Sequence, residues 1–195
     1  EEFFEYKFDV EYSRESILAD VRNKYLKELN REKIPEEYLP ALELIKSWNL
    51  RADSSNTAAA LSILTLPNAF RIEDLKFDTD SINIKLKESI SFLEKNFGSI
   101  EVPLGRVNRL LRGNTSLPLS GGPGTLRAVY SKKSGKVYKA VAGDCYIQAV
   151  EWGPDGQLNA WSVHQYGSST NDKSSPHYDD QSKLFSKHEM KQIRP

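Results

Sequence analysis

The sequence predicts an α+β fold, mainly helical in its first half and an antiparallel sheet in its second. Two observations carry this. Apolar residues recur at helical spacing as far as Phe97, in the stripes Ile17, Leu18, Val21, Tyr25, Leu29 and Ile82, Leu86, Ile90, Leu93, Phe97. Beyond the Pro/Gly-rich stretch at 117–124, four strand-like runs follow one another with only short turns between them. A length of 195 residues fits one domain or one large fragment, so 1–195 is read as one unit. Within it, 1–116 is mainly helical after an initial strand, and 117–195 is an antiparallel meander with a C-terminal segment.

The initial strand is predicted by alternation. Phe4, Tyr6, Phe8, Val10 and Tyr12 interleave with Glu5, Lys7, Asp9 and Glu11, the period of a half-buried strand. Phe4, Phe8 and Tyr12 are accordingly expected to form an apolar edge prone to association. Ser13 is placed to cap the helix that follows. Pro35 and Pro40 bracket a break, and Ala41 to Trp48 reads as a short amphipathic helix. Ala58 to Leu66 is an uncharged, buried helix closed by Pro67. Asp80 or Ser81 caps the next helix, which Gly98 stops. Leu117 to Gly124 has the composition of an extended, turned loop. The strand-like runs are Thr125–Ser131, Lys136–Ala142, Cys145–Trp152 and Leu158–Gln165, and Gly143-Asp144 and Gly153-Pro154-Asp155-Gly156 supply turn chemistry. A consecutive meander is the economical pairing, with the helix from Ser81 to Phe97 packed nearby. Tyr178 to Met190 is weakly helical.

Charge and cysteine content exclude several classes. Lys+Arg and Asp+Glu are equal at 27 each, so net charge gives no pull toward nucleic acid or an anionic membrane. No apolar run approaches the ~18 residues of a membrane span. The one cysteine, Cys145, rules out an internal disulfide and a cysteine-based zinc cluster, and it reads as a small buried residue of a strand. No cofactor is expected.

Candidate chemistry is sparse. Asn114-Thr115-Ser116 fits a glycosylation acceptor, a short and common pattern. Gly121, Gly122 and Gly124 precede a strand instead of a helix and lack a following Lys-Ser/Thr, so they are a flexible entry and not a phosphate loop. His177-Tyr178-Asp179-Asp180 admits a metal or triad reading with Ser168 or Ser175, but adjacency in sequence is no evidence for a triad, and capping and loop hydrogen bonds explain these residues. His164, at a strand end, reads as a structural imidazole. Glu151 stands out. It shares a strand face with Cys145, Ile147 and Ala149. If that face is buried, the carboxylate needs a partner; if the strand end frays, it reaches water.

Several stretches, in this order, resemble the end of the large subunit of the penicillin acylase family. They are Gly121-Gly122-Pro123-Gly124-Thr125-Leu126-Arg127-Ala128, Ala142-Gly143-Asp144-Cys145-Tyr146, Val150-Glu151-Trp152, His164-Gln165-Tyr166-Gly167-Ser168-Ser169 and Ser175-Pro176-His177-Tyr178-Asp179-Asp180-Gln181. Asn108 to Gly113 and Trp48 to Ser54 add weaker support, and the first 45 or so residues carry no such signature.

The resemblance implies a four-layer αββα sandwich and a precursor that cleaves itself into two subunits. The new N-terminal residue, usually Ser, then attacks an amide carbonyl with its own α-amino group as base, and N–H groups form the oxyanion hole. It implies an N-acyl substrate (a β-lactam side chain, an acyl-homoserine lactone or a related amide) and a periplasmic or secreted location. Residue 1 is Glu, which cannot be the nucleophile. The expectation is therefore a fragment, inactive alone, whose partners are the small subunit and the N-terminal part of the large subunit. Ser168 and the Ser175–Gln181 stretch are expected to be framework. In the cephalosporin-acylase branch a glutamate on a late strand orients the histidine that follows the nucleophile, and Val150-Glu151-Trp152 is similar to that strand, which makes Glu151 the candidate catalytic position. The other reading is a non-catalytic structural or binding module of the same fold.

Overall fold

The computed structural model of the chain describes residues 2–29, 34–67 and 78–193. Its first element is helix α1, Glu2–Lys7, where alternation predicts a strand. Glu2 and Glu5 in the first turn and Lys7 in the last match the helix dipole. The aromatic residues also serve different neighbours in place of one sheet face. Phe4 packs edge-on against Trp161 at 5.8 Å, Phe8 stacks on His188 at 5.1 Å, and Tyr12 is buried against Trp48. Only Glu11 keeps strand character, as an isolated bridge to Arg51.

Helix α2 spans Ile17–Glu28 and is capped by Ser16, whose hydroxyl accepts from the Ala19 N–H; Ser13 instead turns the chain before it by accepting from Glu15 N–H. A 3-10 turn at Glu36–Tyr38 leads into α3, Leu39–Ser47, with Pro40 in its first turn, where a missing N–H costs nothing. Helix α4 is Ala59–Thr65 and α5 is Thr79–Phe97. Asp78, two or three residues earlier than the caps expected, caps α5 through the N–H groups of Asp80 and Ser81, while Gly98 closes it in the left-handed region at φ 77°. The apolar stripes of these helices meet in one core that fully buries Tyr25, Ile45, Leu61 and Leu93. The Tyr25 hydroxyl is satisfied there by donating to Asn83 at 2.7 Å.

A short helix α6, Leu104–Val107, runs directly into the first sheet. Strands β1, Asn108–Arg112, and β2, Thr115–Pro118, form a hairpin turned at Gly113-Asn114, so part of the expected loop at 117–124 is strand. Strand β3 is Val129–Ser134, β4 Val137–Gly143, β5 Tyr146–Trp152 and β6 Leu158–His164. Helix α7, Ser182–Ser186, and β7, Lys191–Gln192, are the last described elements, and the weak helix expected over 178–190 narrows to α7.

The consecutive meander is corrected. The strands form two sheets, ordered β2-β1-β4-β3 and β5-β6-β7. β4 takes β1 as a parallel neighbour, and β5 pairs only with β6. The cause lies in Gly143: at φ 118° it turns the chain out of the first ladder, and Asp144 N–H then bonds Ala128 O. The run expected from Thr125 likewise starts late. Its first residues bond outside the ladder, Arg127 N–H to Asp9 O and the Thr125 hydroxyl to Arg127 O. As expected, α5 packs on the sheet, with Phe92 edge-on to Tyr138 of β4 at 5.2 Å. A second, smaller core joins the sheets through Leu110, Leu119, Val129, Ile147, Val163 and Phe185.

Candidate functional site

Strand β5 pairs with β6 without a slip from Tyr146↔His164 to Trp152↔Leu158. Ile147, on the face that Glu151 shares, is buried against Val163, and Ala149 is half-buried opposite Trp161. The core stops there. Glu151, opposite Asn159, lies beyond it and is exposed. Its carboxylate makes no hydrogen bond or ion pair with the described residues. The alternation thus placed Glu151 on the right face, and the length of the core decides that the carboxylate meets solvent.

Cys145 corrects the sequence reading: it is exposed, not buried. It precedes the first ladder pair of β5, so the strand's alternation does not turn it inward; its carbonyl accepts from Gln165 N–H at 2.9 Å. His164, expected to be a structural, hydrogen-bonded imidazole, is fixed instead through its main chain and a ring contact. Its backbone N–H donates to Gln181 Oε1, and its ring lies 4.7 Å from that of Tyr146.

The most heavily buried charge among the described residues carries no distinguishing signal of its own in the sequence. Arg127 has no exposed surface. Its guanidinium donates to Asp144 at 3.1 Å and to Phe185 O at 3.0 Å, and it lies 3.9 Å from the Phe185 ring. Lys7 of α1 reaches the same Asp144 oxygen at 2.7 Å. Burial lowers the Arg127 pKa, and Asp144 opposes that shift. Beside them His188 lies stacked on Phe8, and its Nε2 has no partner. Its pKa is pushed down to about 4, first by burial and then by Arg127. The available signal was the pair of stretches that supply Arg127 and Asp144, although nothing in either predicts their contact.

The Ser175–Gln181 stretch is held as framework. Arg112 of β1 lies 4.0 Å from the Tyr178 ring and 4.8 Å from the Tyr166 ring, and donates to the carbonyls of Ser169 and Thr170. Thr115 donates to Asp179, Ser169 N–H bonds His177 O, and Ser182 N–H bonds Asp179 O. His177 Nδ1 lies 2.9 Å from Asp180 in an exposed pair, while the Ser175 hydroxyl accepts from the His177 backbone. No hydrogen bond among the described residues joins a serine hydroxyl to a histidine ring, and no group of three or more metal-type side chains gathers there. Asn114 is exposed at the β1–β2 turn.

The family described as Penicillin amidase matches residues 5–194, nearly the entire chain. The chain belongs to the penicillin amidase family, a family of amide hydrolases. The match begins at residue 5 and so takes in most of the first 45 or so residues, which carry no signature of their own. Comparison with curated proteins gives no match.

Proposed function

We propose that this chain is the C-terminal part of the large subunit of an N-terminal-nucleophile acylase. The enzyme hydrolyses the amide of a small N-acyl molecule, of the class of β-lactam side chains and acyl-homoserine lactones. The family match over 5–194 carries this reading. The nucleophile and the oxyanion hole belong to segments other than these residues, and the partners are the small subunit and the N-terminal part of the large subunit. A periplasmic or secreted location goes with that assignment.

In this enzyme Glu151 is a positioning residue. Its carboxylate accepts from the histidine that follows the nucleophile and fixes the ring's orientation, as an orienting acid does in a hydrolase triad. Two features support the role: a carboxylate that the described residues leave unengaged, and a place within seven consecutive ladder pairs.

The test is Glu151→Gln in the complete, self-processed enzyme. Turnover falls by roughly 10²- to 10⁴-fold with the fold intact. The pH profile of turnover also shifts, because a neighbouring carboxylate raises a histidine pKa and its amide does not. Turnover within about threefold of the parent, with normal processing, would remove Glu151 from the site.

A further inference from the structure

A cavity of about 570 Å³ opens between α4, α5, α6 and the sheet formed by β1, β4 and β3. That volume lies within the range of small-molecule sites. Ile63, Leu66, Ile82, Leu104, Val107 and Val129 give it apolar walls. Polar residues interrupt them, Ser81, Asn108, Tyr130, Ser131 and Tyr138 among them, and two others bear on a ligand. Thr65 lines the cavity with 1% of its surface exposed, and its hydroxyl makes no hydrogen bond. A buried hydroxyl is normally paired, so this one calls for a partner from whatever fills the space. Lys85 is the second feature and the only charged side chain lining the cavity among the described residues. It is largely exposed, with its ammonium 2.7 Å from Glu88 one turn along α5. No residue of β5 or β6 lines the cavity, so it is separate from the strand that carries Glu151.

We propose that this cavity is a binding site for a small apolar carboxylic acid. The hydrocarbon part lies among Ile63, Leu66, Ile82, Leu104 and Val107. The carboxylate lies at Lys85, a point charge able to accept a second carboxylate beside Glu88 through its three donors. The Thr65 hydroxyl bonds a polar atom of the ligand or a water that enters with it. The apolar walls select against small hydrophilic anions, and Lys85 favours a carboxylate over an amine. The inference does not depend on the acylase reading, since it needs neither turnover nor Glu151.

Octanoate is the probe, titrated into the 195-residue chain by calorimetry, with 1-octanol as its neutral counterpart. Saturable binding with one site and a Kd of about 0.1–5 mM is expected for a ligand of this size. Ala60, fully buried and lining the cavity, is replaced by Leu to fill the space, and Ala60→Leu abolishes binding. Lys85→Met, an exposed change that leaves the core untouched, weakens octanoate about two- to fivefold and leaves 1-octanol unaffected. Thermal melting of each variant establishes that it is folded. Octanoate that fails to saturate, that binds the parent and Lys85→Met alike, or that binds no tighter than 1-octanol overturns the proposal.

Discussion

Arg127 and Asp144 meet at 3.1 Å, and each comes from a different one of the stretches that resemble the acylase family. Their glycines serve the same contact. Gly143 brings the backbone against Ala128, so that a Cβ there would sit 2.1 Å from Ala128 O. Gly121 passes equally close to Arg127 O, where a Cβ would lie at 2.2 Å. The two stretches are therefore halves of one buried joint that ties α1, both sheets and α7 together.

Removing one partner of that joint leaves a charge in the core. Asp144→Ala is expected to destabilise the chain by about 3 kcal/mol, because Arg127 has no route to water. The double change Arg127→Met with Asp144→Leu recovers most of the loss, since neither charge then needs compensation. Urea denaturation of the three proteins checks this. Equal stability of the parent and Asp144→Ala would show that the pair contributes nothing.

Gly143→Ala acts on the same joint through the backbone. At φ 118° an L side chain is strained, and its Cβ would meet the Ala128 carbonyl, which cannot swing aside as a flexible side chain could. A loss of about 2–4 kcal/mol is expected. Gly156→Ala, also at positive φ but with nothing within 4 Å of the added Cβ, separates conformational strain from collision and is expected to cost about 1 kcal/mol. Similar melting temperatures for the two variants would refute the collision.

His188 makes stability depend on pH. Its folded pKa of about 4 lies below the ordinary 6.5, so between these values the unfolded chain holds a proton that the folded chain does not. The contribution is complete above pH 6.5, is lost as pH falls through that window, and levels off below about pH 4. With the ring half-buried and partly screened, the loss is roughly 1–2 kcal/mol. His188→Asn keeps a residue tolerant of the left-handed φ of 62° and removes the titration. The stability difference between His188→Asn and the parent should change by that amount between pH 7.5 and pH 4. A constant difference would mean that His188 does not titrate in this window.

The exposed apolar face is not the Phe4–Tyr12 segment that alternation suggests, where Tyr12 is buried and Phe4 and Phe8 are half-buried. It lies on the β5–β6 hairpin, where Trp152 is 73% exposed and Leu158, its ladder partner, 59%. Tyr146 and Val150 continue the same strand face. The chain is expected to self-associate at high concentration in sedimentation velocity. Trp152→Lys with Leu158→Glu, an opposite-charge cross-strand pair, should abolish this while keeping the hairpin. A parent that stays monomeric and binds no hydrophobic dye would show that the face is inert.

What the sequence disclosed follows from how local each signal is. The stripes from Ile17 and Ile82 became α2 and α5, because a helical period and its caps are written within a few residues of each other. Four strand runs were visible for the same reason. Their pairing was not, since the choice of β1 over β5 as the neighbour of β4 depends on the turn at Gly143 and on a contact between residues far apart in sequence. The α1 region misled because Phe4, Phe8 and Tyr12 each find a different partner, Trp161, His188 and Trp48, and alternation alone cannot tell this from one buried face. At Glu151 the facing direction was legible, whereas its exposure depended on where the small core ends.

The clamp at Arg112 has a consequence for how this protein can vary. The backbone bond from Ser169 to His177 and the grip of Arg112 on Ser169 and Thr170 close the base of a loop whose tip, Asn171 to Ser174, is exposed. A loop tied at its neck transmits little of its length to the elements it leaves, and lengthening it costs only the slow logarithm of closure entropy. β6 and α7 are thereby insulated from whatever this tip becomes, and the tip is the place where the surface can diversify while Gln181, His164 and the joint at Arg127 keep their positions.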